Sequence, residues 1–450
     1  MALSSIDIRE HQGELEALVR DILAEAERQG ASAAEVSASQ DAGLGVTVRK
    51  GDLEKVEYNQ DRGFGITVHA GSSKGSASTS DSRAAAIRET VAKAMDIARH
   101  TRDDPCNGLA DAELMPGVIP DLDLFHQAPL DPGLAEETAR SCEAAGLAFD
   151  PRIVNSDGAE VNTLQACRVY GNSHGFVGGH AATRYGTSCV LIAEDENGMQ
   201  RDYWYTTARE REALEEPERV GLRAAERTVA RLSPGKVPTG TYPVLFSAQM
   251  AGTLAGHLIG AISGGALYRK ASFLLDSLGT QVASGHVSLF EQPLLPKGIG
   301  SVGFDADGVA TREKAFVEGG VVQSYALSTY SSRRLGMTTT GNAGGVHNLT
   351  LAGKTLTFEA LLKEMGRGLY VTELMGQGVN AVSGDYSRGA SGFWVENGEI
   401  GRPVHELTIA ANLKDVYRNI VAVGDDLDVR GNVRAPSVLV EAMTVAGDSG

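Results

Sequence analysis

The sequence predicts an α+β protein, with an N-terminal α/β half that contains an antiparallel meander and a C-terminal half that is mainly antiparallel β. Glycine accounts for 54 of the 450 residues and follows no Gly-X-Y period, which favours turn-rich β structure because glycine readily adopts positive φ angles. Helical periodicity of apolar residues is strongest in the first half. Three of the 14 prolines fall between residues 232 and 243. This cluster predicts a boundary, and we expect domains at 1–235 and 236–450.

The N-terminal half is predicted to hold four helices, recognised by apolar spacing and by residues that cap helix ends. The first spans 6–30 and ends at a glycine. The second begins with Asp81 as its N-cap and runs to about residue 100, and the third spans 131–147. The fourth spans 210–231, with Pro217 marking the start of its main part.

Strands are predicted wherever short, partly alternating segments are separated by Gly or Asp. Those of the meander are 35–40, 44–50, 53–59, 64–69 and 75–80, and later candidates are 169–177 and 188–193. In the C-terminal half, 242–246 predicts a strand, and 248–262 and 357–366 predict helices.

Composition and charge exclude several classes of function. The net charge is −17 and no run of Lys and Arg is present, so binding to nucleic acid is not expected. The four cysteines are widely spread, without a Cys-x-x-Cys pair. No apolar stretch reaches the ~18 residues needed to span a bilayer, and the first residues lack the apolar core of a signal peptide. We therefore expect a cytoplasmic protein without a membrane partner.

Two partial motifs suggest catalysis but lack their context. His405-Glu406 has no second histidine at helical spacing, and its surroundings alternate like a strand. Residues 171–175 (GNSHG) match the Gly-x-Ser-x-Gly nucleophile elbow, which would make Ser173 a nucleophile. The elbow must lead into a helix, whereas Phe176-Val-Gly-Gly is a poor helix start, so a turn is favoured. His69, His174, His180, His257 and His347 have no second ligand at usable spacing.

Four segments resemble the TldD/PmbA peptidase family, and within it the PmbA (TldE) type of subunit. They are 256–276 (GHLIGAISGGALYRKASFLLD), 341–348 (GNAGGVHN), 372–378 (TELMGQG) and 383–398 (SGDYSRGASGFWVENG). In the N-terminal half, 61–68, 121–126 and 171–175 are similar to segments of the same subunits in the same order. The resemblance covers nearly the whole chain.

The TldD subunits of this family carry a His-Glu-x-x-x-His zinc motif on a helix. Two imidazoles bind the metal there, and the carboxylate takes a proton from zinc-bound water. The resemblance aligns that motif with residues 256–261, where its three key positions become Gly256, His257 and Ala261. The chain also has no cysteine after Cys189. It is therefore expected to hold no metal and no catalytic residue, and zinc is expected in a TldD-type partner.

The resemblance implies that the pair is a cytoplasmic heterodimer that degrades unfolded peptides, such as leader segments and antitoxins. This chain would close the chamber and help to hold an extended peptide, a role in which its exposed backbone could add a strand. Candidate contacts with peptide or partner, each equally compatible with a structural role, are Arg269, Lys270, Gly376, Gly378, Asp385 and Arg388.

Three alternatives stay open. One is a serine hydrolase that uses Ser173, and another is a non-enzymatic modulator of another protein such as DNA gyrase. The third concerns assembly: the isolated chain could form a homodimer, since two-fold association is the commonest oligomer.

Overall fold

A computed structural model describes residues 8–128 and 131–447. Its α-helices, in chain order, are α1 (Glu10–Arg28), α2 (Ala84–His100), α3 (Pro132–Leu147), α4 (Pro217–Ala230), α5 (Ala248–Ala261), α6 (Gly264–Tyr268), α7 (Thr329–Arg334), α8 (Phe358–Met365) and α9 (Leu413–Arg418). Among these described residues no helix is long and apolar enough to cross a membrane.

The N-terminal half is built on one six-stranded antiparallel sheet. Its strands are β1 (Ala33–Arg49), β2 (Asp52–Ala70), β3 (Ser73–Thr79), β4 (Ile153–Asn172), β5 (Val177–Asp195) and β6 (Gly198–Ala208). They lie in the order β3-β2-β1-β4-β5-β6. The sheet is thus two meanders of consecutive strands, joined where β1 pairs with β4.

Only one face of this sheet is covered by helices. Alternate β1 residues, from Val36 to Val48, are buried on that face, as the two-residue period of a strand requires. Helices α1 and α2 pack over one end of the strands and α3 and α4 over the other, forming two separate apolar cores. The opposite face carries small or polar side chains, and loops of the C-terminal half lie over it.

The meander differs from the prediction in the length of its strands. The predicted segments 35–40 and 44–50 form the single strand β1, and 53–59 and 64–69 form β2. Gly43 was expected to mark a turn. A Cβ at this position would lie 2.6 Å from the carbonyl oxygen of Thr163, so this glycine lets β1 and β4 approach each other closely. The predicted strand 169–177 was wrong in part, because it spans the end of β4, the turn at 173–176 and the first residue of β5, whereas the predicted strand 188–193 lies within the longer β5.

The predicted helices are present, with adjusted ends. Residues 6 and 7 of the first helix lie outside the described residues. Helix α2 begins three residues after Asp81, whose carboxylate accepts from the backbone N–H of Arg83 (2.9 Å) and does not cap the helix. Asp131 caps α3 through the N–H of Leu134 (2.9 Å), and α4 begins at Pro217 as predicted.

The C-terminal half contains two further sheets, which confirms the predicted mainly β character. One has the order β10-β9-β8-β11-β16 and the other β14-β13-β12-β7-β17-β15. Most pairs are antiparallel, but β7–β12 and β11–β16 are parallel. Their strands are β7 (Gly240–Phe246), β8 (Ser288–Glu291), β9 (Lys314–Glu318), β10 (Val321–Val322), β11 (Leu349–Ala352), β12 (Gly368–Met375), β13 (Asp385–Glu396), β14 (Glu399–Asn412), β15 (Ile420–Val423), β16 (Val433–Arg434) and β17 (Val438–Ala446).

Arginines join the two halves. The Arg209 guanidinium donates to the carbonyl oxygens of Gly298 (3.1 Å) and Ile299 (2.5 Å). Arg430 donates to the carbonyl oxygen of Tyr205 (2.9 Å), and its guanidinium lies 4.2 Å from the ring centroid of Trp204. These contacts hold the C-terminal half against the sheet and so define the cavity between them.

Candidate functional site

The three positions aligned with the zinc motif do not share one surface. Gly256 lies on an open side of α5, where an added Cβ would meet no atom within 4 Å. Ala261, five residues later, is buried in the C-terminal core, because five residues advance a helix by about 140° beyond a full turn. A side chain at Gly256 and one at Ala261 would therefore point in different directions.

Helix α5 carries an open row of glycines. Gly252, Gly256 and Gly260 recur every four residues and so lie on one face. Added Cβ atoms at Gly256 and Gly260 would meet nothing within 4 Å, and one at Gly252 would only touch Val433 at 3.9 Å. No contact within the described chain requires glycine at these three positions.

His257 and Arg388 are brought together beside this row. The Nε2 atom of His257 and the Nε atom of Arg388 are buried without a hydrogen-bond partner among the described residues. Burial and the nearby Arg388 charge lower the pKa of His257, so its ring is neutral at pH 7. The ring stands edge-on to Tyr386, with 6.1 Å between centroids.

The other predicted contact residues lie in two neighbouring turns. Arg269 and Lys270 are exposed at the end of α6, and Arg269 donates to the hydroxyl of its neighbour Tyr268 (3.1 Å). The segment that follows is tied to the turn before β13 by a hydrogen bond from the N–H of Phe273 to the carbonyl oxygen of Ala381 (2.9 Å).

Gly376, Gly378 and Asp385 serve that second turn. Gly376 has a φ of 78°, which favours glycine. A Cβ at Gly378 would lie 1.8 Å from the carbonyl oxygen of Ser387, so β13 itself occupies the space beside it. Hydrogen bonds from Ser383 and then Asn412 lower the pKa of Asp385, and its carboxylate closes the turn. Their placement is therefore structural, and contact with a peptide at these residues stays a prediction.

The two partial motifs lie in a turn and in a strand, and neither setting supports the catalysis that the motif would require. Ser173 sits in the turn between β4 and β5, and its hydroxyl accepts from the N–H of Ala34 (3.0 Å). No helix follows it. His405 and Glu406 lie in strand β14, where Glu406 has a φ of 55° at an irregularity in the pairing with β13.

A cavity of about 1050 Å³ lies between the helix-free face of the N-terminal sheet and two loops of the C-terminal half. No residue of α5 lines it, so it is distinct from the glycine row. Its lining includes Ser37, Ser39, Arg168, Tyr170, His180, Phe304, Asp305, Gly344 and His347. Arg168 is paired with Asp41, and burial lowers the pKa of His180 to about 4. The lining also includes Arg62, which makes no ion pair among the described residues and whose Nε is buried without a hydrogen-bond partner. The cavity wall therefore carries one unpaired positive charge.

A fully buried carboxylate fixes the His347 imidazole at the cavity wall. Glu291 Oε1 accepts from the backbone N–H (2.6 Å) and from Nδ1 (3.0 Å) of His347, and Oε2 accepts from Lys314 Nζ (2.5 Å). Asn342 donates to both oxygens. Burial opposes ionisation of Glu291, but the hydrogen bond from His347 and the charge of Lys314 outweigh it and lower the pKa. Because a carboxylate only accepts, Nδ1 of His347 carries a proton.

Two carboxyl groups in or beside this cavity have raised pKa values. Burial raises the pKa of Asp305 to about 6, although three backbone N–H groups, those of Asp307, Val309 and Ala343, donate to its carboxylate. Burial also raises the pKa of Glu35, which accepts from the Tyr170 hydroxyl (3.0 Å). At mildly acidic pH these groups can therefore donate as well as accept hydrogen bonds.

The sequence singled out His347 only as one of several scattered histidines. Its partner Glu291 lies 56 residues earlier, and nothing in the local pattern of 288–291 distinguishes that glutamate from a surface residue of a strand. Among residues 8–128 and 131–447, no group of three or more His, Cys, Asp or Glu side chains is arranged to hold a metal.

Comparisons with known proteins agree along the whole chain. Models of the PmbA/TldA metallopeptidases match it at residues 34–98 (domain 1), 125–232 (central domain) and 239–447 (C-terminal domain). It is 50% identical over 414 residues, 92% of each chain, to the metalloprotease PmbA of Escherichia coli O157:H7.

Two solved structures share the fold. A candidate modulator of DNA gyrase from Bacteroides thetaiotaomicron superposes with a TM-score of 0.92 at 27% identity, covering 97% of this chain and 100% of that one. TldE from Thermococcus kodakarensis has a TM-score of 0.82 at 18% identity, with 96% and 100% covered.

Proposed function

The chain belongs to the PmbA/TldD metallopeptidase family, and from this premise we propose that it is the metal-free, TldE-type subunit of a two-subunit cytoplasmic peptidase. Zinc and the catalytic residues belong to a TldD-type partner. This chain contributes surfaces that hold an unfolded peptide, such as a leader segment or an antitoxin, and that contact the partner.

The observation that carries this proposal is the chemistry of α5. A zinc peptidase needs imidazole or thiolate ligands and a carboxylate base at fixed positions. Gly256 supplies no side chain, Ala261 is apolar and buried, and His257 stands where the carboxylate would be. The residues present on α5 therefore do not fit zinc.

The open glycine row supports a role in contacting another chain. Glycine inside a helix costs about 1 kcal/mol relative to alanine, and no neighbour within 4 Å compensates for that cost at Gly256 or Gly260. A surface without side chains allows the backbone of a peptide or of a partner to approach the helix closely. The nitrogens of His257 and Arg388 near this helix are buried and unsatisfied, and a rearrangement that exposes them would let them bond to such a backbone.

The inter-domain cavity supports peptide binding as well. Its lining combines hydroxyls, imidazoles and the Phe304 ring with the unpaired guanidinium of Arg62, which can contact the backbone, mixed side chains and a carboxylate of a peptide. Its volume of about 1050 Å³ lies just above the range of ~300–1,000 Å³ typical of ligand sites.

Reconstitution tests the proposal. An unstructured reporter peptide is incubated with the purified chain alone, with a TldD-type subunit alone, and with both, each with and without a chelator. We expect chelator-sensitive cleavage only in the mixture. Cleavage by this chain alone would contradict the proposal.

A matched pair of variants tests the role of α5. Gly256→Leu fills the open row, whereas Gly13→Leu introduces the same side chain on the exposed face of α1, where an added Cβ also meets nothing within 4 Å. We expect Gly256→Leu to reduce cleavage by the mixture at least tenfold (~1.4 kcal/mol) and Gly13→Leu to leave it unchanged. Equal activity of the two variants would remove α5 from the functional surface.

The likeness to a candidate modulator of DNA gyrase keeps one alternative open, namely that the chain acts on another protein without proteolysis. Affinity capture with the tagged chain distinguishes the two. Recovery of a TldD-type subunit supports the peptidase role, whereas recovery of gyrase without such a subunit supports the alternative.

A further inference from the structure

Three buried polar atoms close to α5 have no hydrogen-bond partner within the described chain. They are the hydroxyl of Tyr386, Nε2 of His257 and Nε of Arg388. Tyr386 is only 1% exposed, so the surrounding protein shields its hydroxyl from solvent. Because buried polar groups in folded proteins are almost always hydrogen-bonded, three unsatisfied atoms in one place indicate a site for a bound group.

The geometry of β13 and α5 brings the three side chains together. Tyr386 and Arg388 are two residues apart in β13, so their side chains lie on the same face of the strand. The ring of His257 stands edge-on to the ring of Tyr386, with 6.1 Å between centroids. Asp385 alternates to the opposite face of β13, and its carboxylate accepts hydrogen bonds from two other side chains.

The charge at this place is positive and unpaired. Within residues 8–128 and 131–447, Arg388 forms no ion pair. Burial and then the Arg388 charge lower the pKa of His257. Burial raises the pKa of Tyr386 to about 12, although Arg388 opposes that rise. No carboxylate of the described residues acts on either group, so the Arg388 guanidinium has no counter-ion here.

All three groups can donate a hydrogen bond. With a pKa of about 12, the Tyr386 hydroxyl keeps its proton at pH 7. The neutral ring of His257 carries its proton on one of two nitrogens, so Nε2 can be a donor, and the Arg388 Nε always carries hydrogen. No hydrogen bond of normal geometry joins the hydroxyl to Arg388. The three donors are therefore available to one acceptor.

We propose that Tyr386, Arg388 and His257 form a binding site for a compact anion, either a halide ion or one oxygen of a carboxylate. One positive charge and three donors match a monovalent anion, whereas a phosphate requires more cations. His257 and Arg388 are partly exposed as whole residues, so their buried atoms lie just below the surface. A compact anion needs only a local motion of side chains to reach them.

The proposal goes beyond the proposed function, and its tests use the isolated chain without peptide cleavage. The first test measures the line width of chloride by NMR, because exchange with a site on a protein broadens that line. We expect the wild-type chain to broaden it. Arg388→Gln should weaken the affinity about tenfold or more, because it removes the charge and a charge-assisted hydrogen bond.

Arg88→Gln is the matched control for the loss of charge. Arg88 is exposed on α2 and makes no ion pair among the residues that the structure describes, so this variant should bind chloride as the wild type does. Circular dichroism confirms that each variant is folded. A wild-type chain that does not broaden the line, or equal broadening by Arg388→Gln, would overturn the proposal.

The second test compares the stability of Tyr386→Phe with that of the wild type in urea. Without chloride the variant should be at least as stable, because it removes a hydroxyl that has no partner. As chloride is raised, the difference should shift in favour of the wild type, because a ligand that binds the folded state stabilises it. A difference that is the same at every chloride concentration would mean that only water occupies the site, and the proposal would fail.

Tyr325→Phe is the control for this comparison. The buried hydroxyl of Tyr325 accepts from the N–H of Leu278 (2.9 Å), so its partner is part of the protein. Tyr325→Phe should therefore be less stable than the wild type by the same amount with and without chloride.

Two short peptides distinguish the sources of the anion. Acetyl-trialanine with a free carboxyl terminus and the same peptide with a C-terminal amide are added to the chain in chloride. Displacement of chloride by the acid alone identifies a peptide carboxylate as a ligand, and displacement by neither identifies the halide. Equal displacement by both peptides would contradict an anion site, since the amide carries no charge. In crystals grown with bromide, the anomalous signal should lie beside the Tyr386 hydroxyl, and bromide found only elsewhere would also contradict the site.

Discussion

Removing the Glu291 carboxylate is expected to destabilise the protein strongly. The group is fully buried, and in Glu291→Ala the ammonium of Lys314, which is only 10% exposed, loses its counter-ion. Breaking one side of a buried ion pair costs about 3–5 kcal/mol. Two donors of His347 and the amide of Asn342 lose their acceptor as well. Since whole domains are stable by about 5–15 kcal/mol, the loss is a large fraction of the total.

A double-mutant cycle separates the ion pair from the loss of packing. Lys314→Met alone leaves Glu291 buried without its cation, and the double variant E291A/K314M removes both charges. We expect the double variant to be less destabilised than the sum of the single variants, by about 2–3 kcal/mol. The matched exposed pair, Glu89 and Lys93 on α2, should show a coupling of only about 0.5 kcal/mol or less.

Urea denaturation followed by circular dichroism provides the assay, with midpoints compared at unchanged m value. The pKa of Glu291 is lowered, so its contribution is present above its ordinary value of 4.5 and is lost as the pH falls through the folded pKa. The difference between wild type and Glu291→Ala should therefore shrink on acidification. Additive single variants, within about 0.5 kcal/mol, would refute the reasoning.

Three further outcomes follow from the same contacts. Asp305 takes up its proton at about pH 6 in the folded state and near pH 3.8 in the unfolded state. The resulting stabilisation of the folded state is fully present below pH 3.8 and is lost as the pH rises through 6. Wild type should lose about 2 kcal/mol relative to Asp305→Asn between pH 4 and 7, as measured by urea midpoints. Gly256→Ala, like Gly13→Ala on α1, should stabilise the isolated chain by up to about 1 kcal/mol, and a destabilised variant would reveal a contact on the open face. Ser173→Ala should lower the free energy of unfolding by about 1 kcal/mol, because the hydrogen bond from the Ala34 N–H is lost. Peptide cleavage by the reconstituted mixture should stay unchanged. The wild-type chain should not react with a fluorophosphonate.

Local signals were sufficient for the helices of the N-terminal half. Asp131 and Pro217 mark helix starts through chemistry that operates within one turn, and both starts are confirmed. The strands were less predictable because Gly43 and Asp61 are turn formers by local preference. Their role as strand residues depends on neighbours, since Gly43 is required by Thr163, about 120 residues later.

The family resemblance located α5 correctly as a helix, but the direction of each side chain depended on packing. The alignment with the zinc motif assigns the same role, that of a metal ligand, to positions 256 and 261. In the structure Gly256 lies on an open side of α5, whereas Ala261 is buried. The cavity could not be predicted at all. Its walls come from the strands β1 to β5 and from loops near 305 and 347, and only the docking of the two halves brings these segments together.

The two candidate surfaces follow from how each half is covered. The N-terminal sheet has helices on one face only, so the C-terminal half must cover the other, and the small side chains of that face leave a cavity beneath the loops. On α5 the opposite holds, because added Cβ atoms at Gly256 and Gly260 would meet no described residue within 4 Å. A helix that gives up about 1 kcal/mol of propensity per glycine without such a contact in return supports the proposed contact with a neighbour outside the chain. The chain therefore has one candidate surface enclosed by its own fold, the cavity, and one left open, the glycine row of α5. The proposed role, a subunit whose peptide site is completed by a partner, predicts this arrangement.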